Sequence, residues 1–437
     1  MTAARAAVTF TLLSFTLACG PSSDEPGATE STSGTGSDTS GSTDAPTTGE
    51  PAPVCMVGGG ANVTLAWSQE ALPDFVTALA GGPGEATVSV GVIADGLGGE
   101  DDDVFVEQRD AAGAVAWSDI YGGAHGEDDR VLDVAVDPAG FVHVLVQEVV
   151  LNVIGEGEGE FTTDARLVVL RYGPDGSHAW RWERAREPVE PWGSYVPEGM
   201  IGVAGEGIVV LEWAFDEPIV QIGLDSAGNL VSETKLAEAQ FAHHIQADIG
   251  LDGSAAIMHP ADPAGLWVAR FDPAGASSWT DEFGGSDDKP GGVFAAEDGA
   301  TYLVWSTGTP EGHLFHLRRF DADGGEAWTQ ELDLPSFDDR RIGGAVRCDG
   351  ALVLVDSVGK PPQPDNELGM RQDLWARLLA PDGSSQWTFE HEFGPPFSWG
   401  EGRGAAFTAT GDVVVSASVR DGDGTTFRPW LGRISAE

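Results

Sequence analysis

A glycine followed four residues later by a tryptophan recurs along this chain, at Gly113/Trp117, Gly176/Trp180, Gly275/Trp279, Gly324/Trp328 and Gly383/Trp387. A further copy, Gly228/Ser232, keeps the glycine and has lost the tryptophan. Successive glycines stand 47 to 63 residues apart, too regular a series to be chance. The unit is clearest over residues 266–305, LWVARFDPAGASSWTDEFGGSDDKPGGVFAAEDGATYLVW, which reads as four short strands. Residues 266–271 and 278–283 flank Asp272-Pro273-Ala274-Gly275. There proline presets φ and glycine accepts a left-handed conformation, so the two strands pair as a hairpin. Residues 292–297 and 300–305 form a second hairpin about Asp298-Gly299. One such sheet has two open edges and too little core to stand alone, so copies have to pack against one another.

The spacing predicts an all-β fold, a seven-bladed β-propeller of four-stranded antiparallel blades, since such a blade takes about 40 to 50 residues. The expected spans are 70–121, 122–184, 185–235, 236–283, 284–332 and 333–391, with 392–434 plus 62–69 as the seventh. Residues 63–69, containing Trp67, read as the outer strand of a blade whose partner lies at the other end of the chain, in residues 426–434. An N-terminal strand completing the last blade closes the ring and removes its free edges.

Composition agrees. At 437 residues and 41% hydrophobic, the chain can bury a large core, and Gly 60 with Pro 26 favours turns over long helices. The formal charge of -47 opposes binding to nucleic acid or to anionic lipid headgroups. Solubility explains that charge; divalent cation binding is the more specific alternative.

Residues 1–18 carry Arg5 and then an apolar run ending in small residues, a secretory signal too short to span a bilayer. Residues 19–54, beginning at Cys19, form a Ser/Thr/Gly/Asp/Pro-rich tether that cannot build a core, and 55–437 are assigned to the propeller. The three cysteines fit an exported protein. Cys55 and Cys348 either pair, pinning the tether to the propeller, or remain buried thiols.

Leu17-Ala18-Cys19-Gly20 resembles a bacterial lipobox, although Thr16 stands where leucine is usual. The resemblance implies lipid attachment at Cys19, and Gly20 implies passage to the outer membrane. An ordinary cleaved signal, leaving the protein periplasmic or secreted, is the alternative. The repeats themselves resemble the bacterial seven-bladed β-propeller repeat family. Asp110, Gly113, Trp117, Gly122, Gly123, Asp129, Asp137 and Gly140 fill its pattern, as do Asp272, Gly275, Trp279, Gly284, Gly285, Asp288, Asp298 and Gly299. The family implies a fold and an exported setting but no single activity. The Trp strand also resembles the docking motif of quinoprotein-like propellers.

The family's strand order implies that strands such as 131–137 line the channel and the Trp strands lie outermost. On that layout the links between blades, and those between the two hairpins of a blade, share one face. Its long segments are 151–165, 183–198 and 358–372. A binding rim is expected there, with Asp129, Trp192, Glu198, His243, Asp288, Asp339, Trp399 and Glu401 as candidates. A repeated aspartate can instead accept backbone N–H groups and fix each link. Six of the 14 tryptophans sit at the repeat position and read as wedges between sheets.

Catalytic and metal signatures are weak. Asp421-Gly422-Asp423-Gly424 and Asp321-Ala322-Asp323-Gly324 do not continue as calcium loops, and the adjacent His243 and His244 would point to opposite faces of a strand. No G-x-S-x-G elbow, phosphate loop or H-E-x-x-H occurs. No cofactor or metal is expected. The reading is a non-catalytic, lipid-anchored, monomeric propeller that binds an unidentified protein or glycan in the cell envelope, touching the membrane only through its anchor. An exported polysaccharide hydrolase or lyase using rim carboxylates, and a structural spacer without a ligand, are the alternatives.

Overall fold

The computed structural model describes residues 63–69, 75–94, 102–123, 129–153, 161–185, 197–214, 217–238, 245–261, 265–309, 312–333, 342–360, 371–393, 397–421 and 427–436. Their strands form seven antiparallel four-stranded blades. The first, innermost strands are Phe75–Gly81, Arg130–Val136, Glu198–Ala204, Gln246–Ile249, Asp288–Ala295, Gly343–Val346 and Phe397–Phe407. The fourth, outermost strands are Val115–Tyr121, His178–Ala185, Leu230–Glu238, Ser277–Phe283, Glu326–Leu332, Ser385–His391 and, for blade 7, Val63–Gln69. Innermost strands of successive blades lie side by side, and that of blade 7 packs against that of blade 1, so the ring is closed. Blades 6 and 7 also share one parallel bridge, Gln372 to Trp399.

Closure occurs as the sequence predicts. Val63–Gln69 pairs antiparallel with Phe427–Ala436, Val63 opposite Ala436 and Gln69 opposite Leu431. The sequence repeat is offset by half a blade from the sheet: of the unit at 266–305, Leu266–Phe271 and Ser277–Phe283 close blade 4, while Asp288–Ala295 and Thr301–Thr309 open blade 5.

Burial falls from the axis outward. Inner strands are buried along nearly their whole length and rich in glycine and alanine, because neighbouring backbones converge there. A Cβ on Gly81 of blade 1 would run into the carbonyl oxygen of Phe407 of blade 7. Outer strands alternate exposed and half-buried residues, with the repeat tryptophan on the inward side.

The Asp-x-x-Gly turns gather on one face, the turn face. In the turn of blade 1, Asp110 Oδ1 accepts the N–H groups of Ala112 and Ala114, both at 2.9 Å, and Gly113 takes φ +81°. Asp272 does the same in blade 4, and the first hairpin of blade 2 repeats it at Asp137. Links between blades and between hairpins join strand ends on the opposite face, the link face.

Two segments expected as loops there are partly strand. Val142–Val153 and Phe161–Tyr172 pair without a break from Val142↔Tyr172 to Val153↔Phe161, leaving only 154–160 between them. Leu352–Lys360 and Arg371–Leu379 likewise pair up to Lys360↔Arg371. Residues at both ends of 151–165 and 358–372 thus extend the sheets.

Candidate functional site

The link face is built from the carboxylates that fix it. In the link from blade 1 to blade 2, Asp129 is buried and its Oδ2 accepts the N–H of Gly123. In the link from blade 4 to blade 5, Asp288 Oδ2 accepts the N–H of Gly285 at 2.7 Å. The Gly-Gly pair follows from this closure. A Cβ on Gly123 or Gly284 would collide with the aspartate, and Gly284 also takes φ +82°. Both aspartates therefore serve as acceptors that fold their links.

Asp288 does more. Thr307 Oγ1 donates to Asp288 Oδ1, and the same hydroxyl lies 3.1 Å from His316 Nε2. The His316 ring stacks on Trp305, with centroids 4.8 Å apart. Burial lowers the imidazole's proton affinity, against an opposing pull from Asp288 and Glu331. Because Thr307 gives its proton to Asp288, its oxygen is left to accept from His316 Nε2–H, which fixes the tautomer.

Glu198 opens the inner strand of blade 3, is buried, and accepts the indole N–H of Trp213 at 3.1 Å. Trp399 and Glu401 lie in the inner strand of blade 7, opposite Arg420 and Ser418. Trp192, His243, His244, Asp339 and Asp423 fall outside the described residues. Asp129, Glu198 and Asp288 thus belong to three different blades. Asp321 pairs with Arg319 at 2.9 Å, and Asp323 accepts the N–H of Gly325 at 3.1 Å, so this stretch closes a turn. Among the described residues no three His, Cys, Asp or Glu side chains converge as a metal site. Nor, among them, is any helix long and apolar enough to cross a membrane.

Away from the link face, two buried aspartates tie the inner strands of neighbouring blades together. Asp133 accepts the N–H of Val134 at 2.7 Å and that of Ile201 in blade 3 at 2.8 Å. Asp248 repeats this from blade 4, accepting Ile249 N–H at 2.9 Å and Ala295 N–H of blade 5 at 2.7 Å. Their partners lie 68 and 47 residues away in sequence, which is why sequence reading missed them.

The tryptophans are wedges. Trp67, Trp117, Trp180, Trp279 and Trp328 each cover the turn glycine of the next blade, at Gly113, Gly176, Gly228, Gly324 and Gly383. Trp67, Trp180 and Trp328 also donate their indole N–H to that turn, at Ala111 O (3.2 Å), Ser226 O (3.1 Å) and Pro381 O (2.9 Å). Where blade 3 has Ser232, Thr234 and Leu236 cover Gly275, and Gln221 Nε2 donates to Pro273 O at 2.8 Å. A second repeat accompanies this one. Arg171, Arg270, Arg319 and Arg433 stand opposite Trp180, Trp279, Trp328 and Trp67 on the neighbouring strand. In the first three the arginine precedes the tryptophan by nine residues, a constant offset that the sequence carries openly.

No protein-family model and no curated protein sequence matches the chain. Its fold is similar to that of puromycin hydrolase, with TM-score 0.45 and 14% identity over 82% of this chain and 51% of that one. The chain thus spans about half the length of that protein. A protein of unknown function from Dyadobacter fermentans gives TM-score 0.43 and 10% identity over 86% and 99% of the two chains. Sqt1 from Chaetomium thermophilum gives 0.41 and 11% over 84% and 98%. The likeness concerns the fold alone.

Proposed function

We propose that the protein is an exported, lipid-anchored propeller that binds a protein or glycan partner of the cell envelope through its link face, without catalysis. The observation that carries this reading is the employment of the link-face carboxylates. Asp129 and Asp288 hold backbone N–H groups of their own links, and Glu198 holds Trp213. An acid–base pair needs carboxyls free to trade protons with a substrate, and these are committed to the scaffold. The longest connections, 186–196 and 361–370, both join strand ends on that face, where a rigid scaffold would support variable binding loops. The signal-like residues 1–18 and the polar tether supply the exported setting.

The test is a pull-down from envelope extracts with the full chain and with variants in which 186–196 or 361–370 is replaced by a short Gly/Ser link. Loss of a captured partner in either variant supports the reading. Capture of nothing by the intact chain favours a structural spacer.

The Asp288–Thr307–His316 chain gives some weight to an exported polysaccharide hydrolase or lyase. Activity on a glycan panel that is lost in Asp288→Asn or Glu401→Gln would favour it over the binding reading.

A further inference from the structure

The outer strand of blade 3, Leu230–Glu238, differs from the other six. It has Ser232 where each of the others has its tryptophan. Two of the four exposed large hydrophobic residues of the described structure, Leu230 at 54% and Val231 at 69%, stand side by side on it. Its inner edge pairs with Pro218–Leu224, and among the described residues no strand pairs with its outer edge. That leaves a row of backbone N–H and C=O groups open to another strand. We propose that this edge takes the same edge of a second copy of the chain, antiparallel about Thr234. The protein is then a reversible dimer, in place of the monomer expected from its sequence.

Charge selects both the occupant and the register. A two-fold axis normal to the sheet keeps every side chain on its own face, so one residue must sit on the axis, with residues equally far to either side opposite each other. With Thr234 on the axis, Glu233 of each copy stands opposite Lys235 of the other, an opposite-charge pair formed twice. Ser232 comes opposite Leu236, and Val231 opposite Ala237. Moving the axis by one residue sets Glu233 against Glu233, or Lys235 against Lys235. Both side chains are exposed, and Glu233, which bonds Arg184 at 2.8 Å, remains 48% exposed. The other outer strands suit a second copy less well. That of blade 1 holds the other two exposed hydrophobics, Val115 and Ile120, but like those of blades 4, 5 and 6 it has carboxylates and no lysine or arginine. That of blade 7 has neither sign. Blade 2 offers Arg181 and Glu183, which are already bonded to each other.

The pairing joins two four-stranded blades into one eight-stranded sheet. Strands run between the turn face and the link face, so antiparallel pairing inverts one ring beside its partner and the two link faces point opposite ways. A pair with two binding faces rests on the binding reading; the strand pairing does not. A single shared edge is at the low end of interface sizes, under about 1,200 Å². The formal charge of -47 also repels two copies at long range. Association is therefore weak, and is best read at physiological ionic strength, where the Debye length is about 8 Å.

The experiment is sedimentation velocity of the full chain over a wide range of concentration, up to its solubility limit. Cys19→Ser in every form keeps any lipid from driving association. The expected result is a monomer–dimer equilibrium that Glu233→Lys or Lys235→Glu alone weakens about tenfold or more. An equimolar mixture of the two single variants should restore it, because each lysine then faces a glutamate. Since Glu233→Lys also loses the bond to Arg184, the mixture is the deciding sample. A monomer at every concentration, a dimer indifferent to both substitutions, or a mixture no more associated than its components overturns the proposal. Cys348 is disulfide-bonded, and Cys19 and Cys55 lie outside the described residues, so runs with and without reductant separate strand pairing from covalent pairing. A dimer that reductant abolishes also overturns the proposal. The edge lies on the perimeter of the ring, so this result and the pull-down can fail independently.

Discussion

The indole of Trp328 lies over Gly383 of the next blade and donates its N–H to the carbonyl of Pro381 at 2.9 Å. The glycine and the tryptophan that are four residues apart in sequence therefore do not serve each other. Among the described turns, Gly113, Gly176, Gly228, Gly324 and Gly383 each receive the tryptophan of the preceding blade, Gly275 alone receiving Thr234 and Leu236 instead, and the repeat works as a chain of contacts around the ring. Trp328→Phe should lose the hydrogen bond and cost about 1 kcal/mol, whereas Trp328→Ala should cost about 3 kcal/mol. Chemical denaturation of the two variants checks the order; equal losses would contradict the latch.

Turn glycines separate packing from backbone strain. Gly324 has φ +82°, and a Cβ there would stand 2.6 Å from Trp279 Cγ. Gly205 has φ +60° with nothing near the Cβ position. Gly205→Ala should cost about 1 kcal/mol from the left-handed backbone alone, and Gly324→Ala about 2–4 kcal/mol because overpacking is added. Similar losses in both variants, measured by urea unfolding, would mean that the tryptophan contact contributes nothing.

Blade 3 lacks the tryptophan and has rebuilt its contact. Gln221 supplies the donor to Pro273 O, and Thr234 with Leu236 covers Gly275. Restoring the motif by Ser232→Trp should therefore not stabilise the protein, while Gln221→Ala should cost about 1 kcal/mol. A rise in melting temperature for Ser232→Trp would show that the slot is open.

How far these relations could be read in advance depended on whether cause and effect were close in sequence. The Asp-x-x-Gly turns were legible because Asp110 and Asp272 bond their own neighbours. Ring closure was legible because Trp67 lacked a partner strand nearby and the C-terminal strand lacked the opposite one. The replacement by Gln221 was not, since its acceptor is 52 residues away and the residue carries no motif. Residues 154–160 read as the middle of a long loop because their glycines alternate with glutamates, yet the strands on either side pair up to Val153 and Phe161. Of the rim candidates, Glu198 reads as a surface carboxylate until the fold places it against Trp213.

Arg433 joins both sides of the seam. It bonds Asp412 of blade 7 at 2.6 Å, Glu85 of blade 1 at 2.8 Å and Ala111 O of blade 1 at 2.9 Å, and its side chain is 8% exposed. Arg433→Met would leave two partly exposed carboxylates without their shared cation and should cost about 1.5–3 kcal/mol. Unfolding with an unchanged midpoint would remove the seam from the account of stability.

Asp248 gives the ring a pH dependence of known sign. Burial pushes its carboxyl up to about 7, against the two backbone donors and Arg270, which hold it down. An unfolded aspartate titrates near ~3.9. Between those values the folded chain binds the proton more tightly, so this group's contribution is full below about pH 4 and is lost as the pH rises to about 7. The stability of the wild type minus that of Asp248→Asn should fall by up to about 4 kcal/mol across this range. A difference independent of pH would contradict the assignment.

Amide hydrogen exchange of residues 63–69 and 427–436 in the intact protein tests closure most directly. If the first strand completes the seventh blade, the two segments exchange slowly, to the same degree, and lose protection together as denaturant is added. Exchange of 63–69 at the rate of a free chain, while 427–436 stays protected, would mean that the ring is closed some other way or not at all.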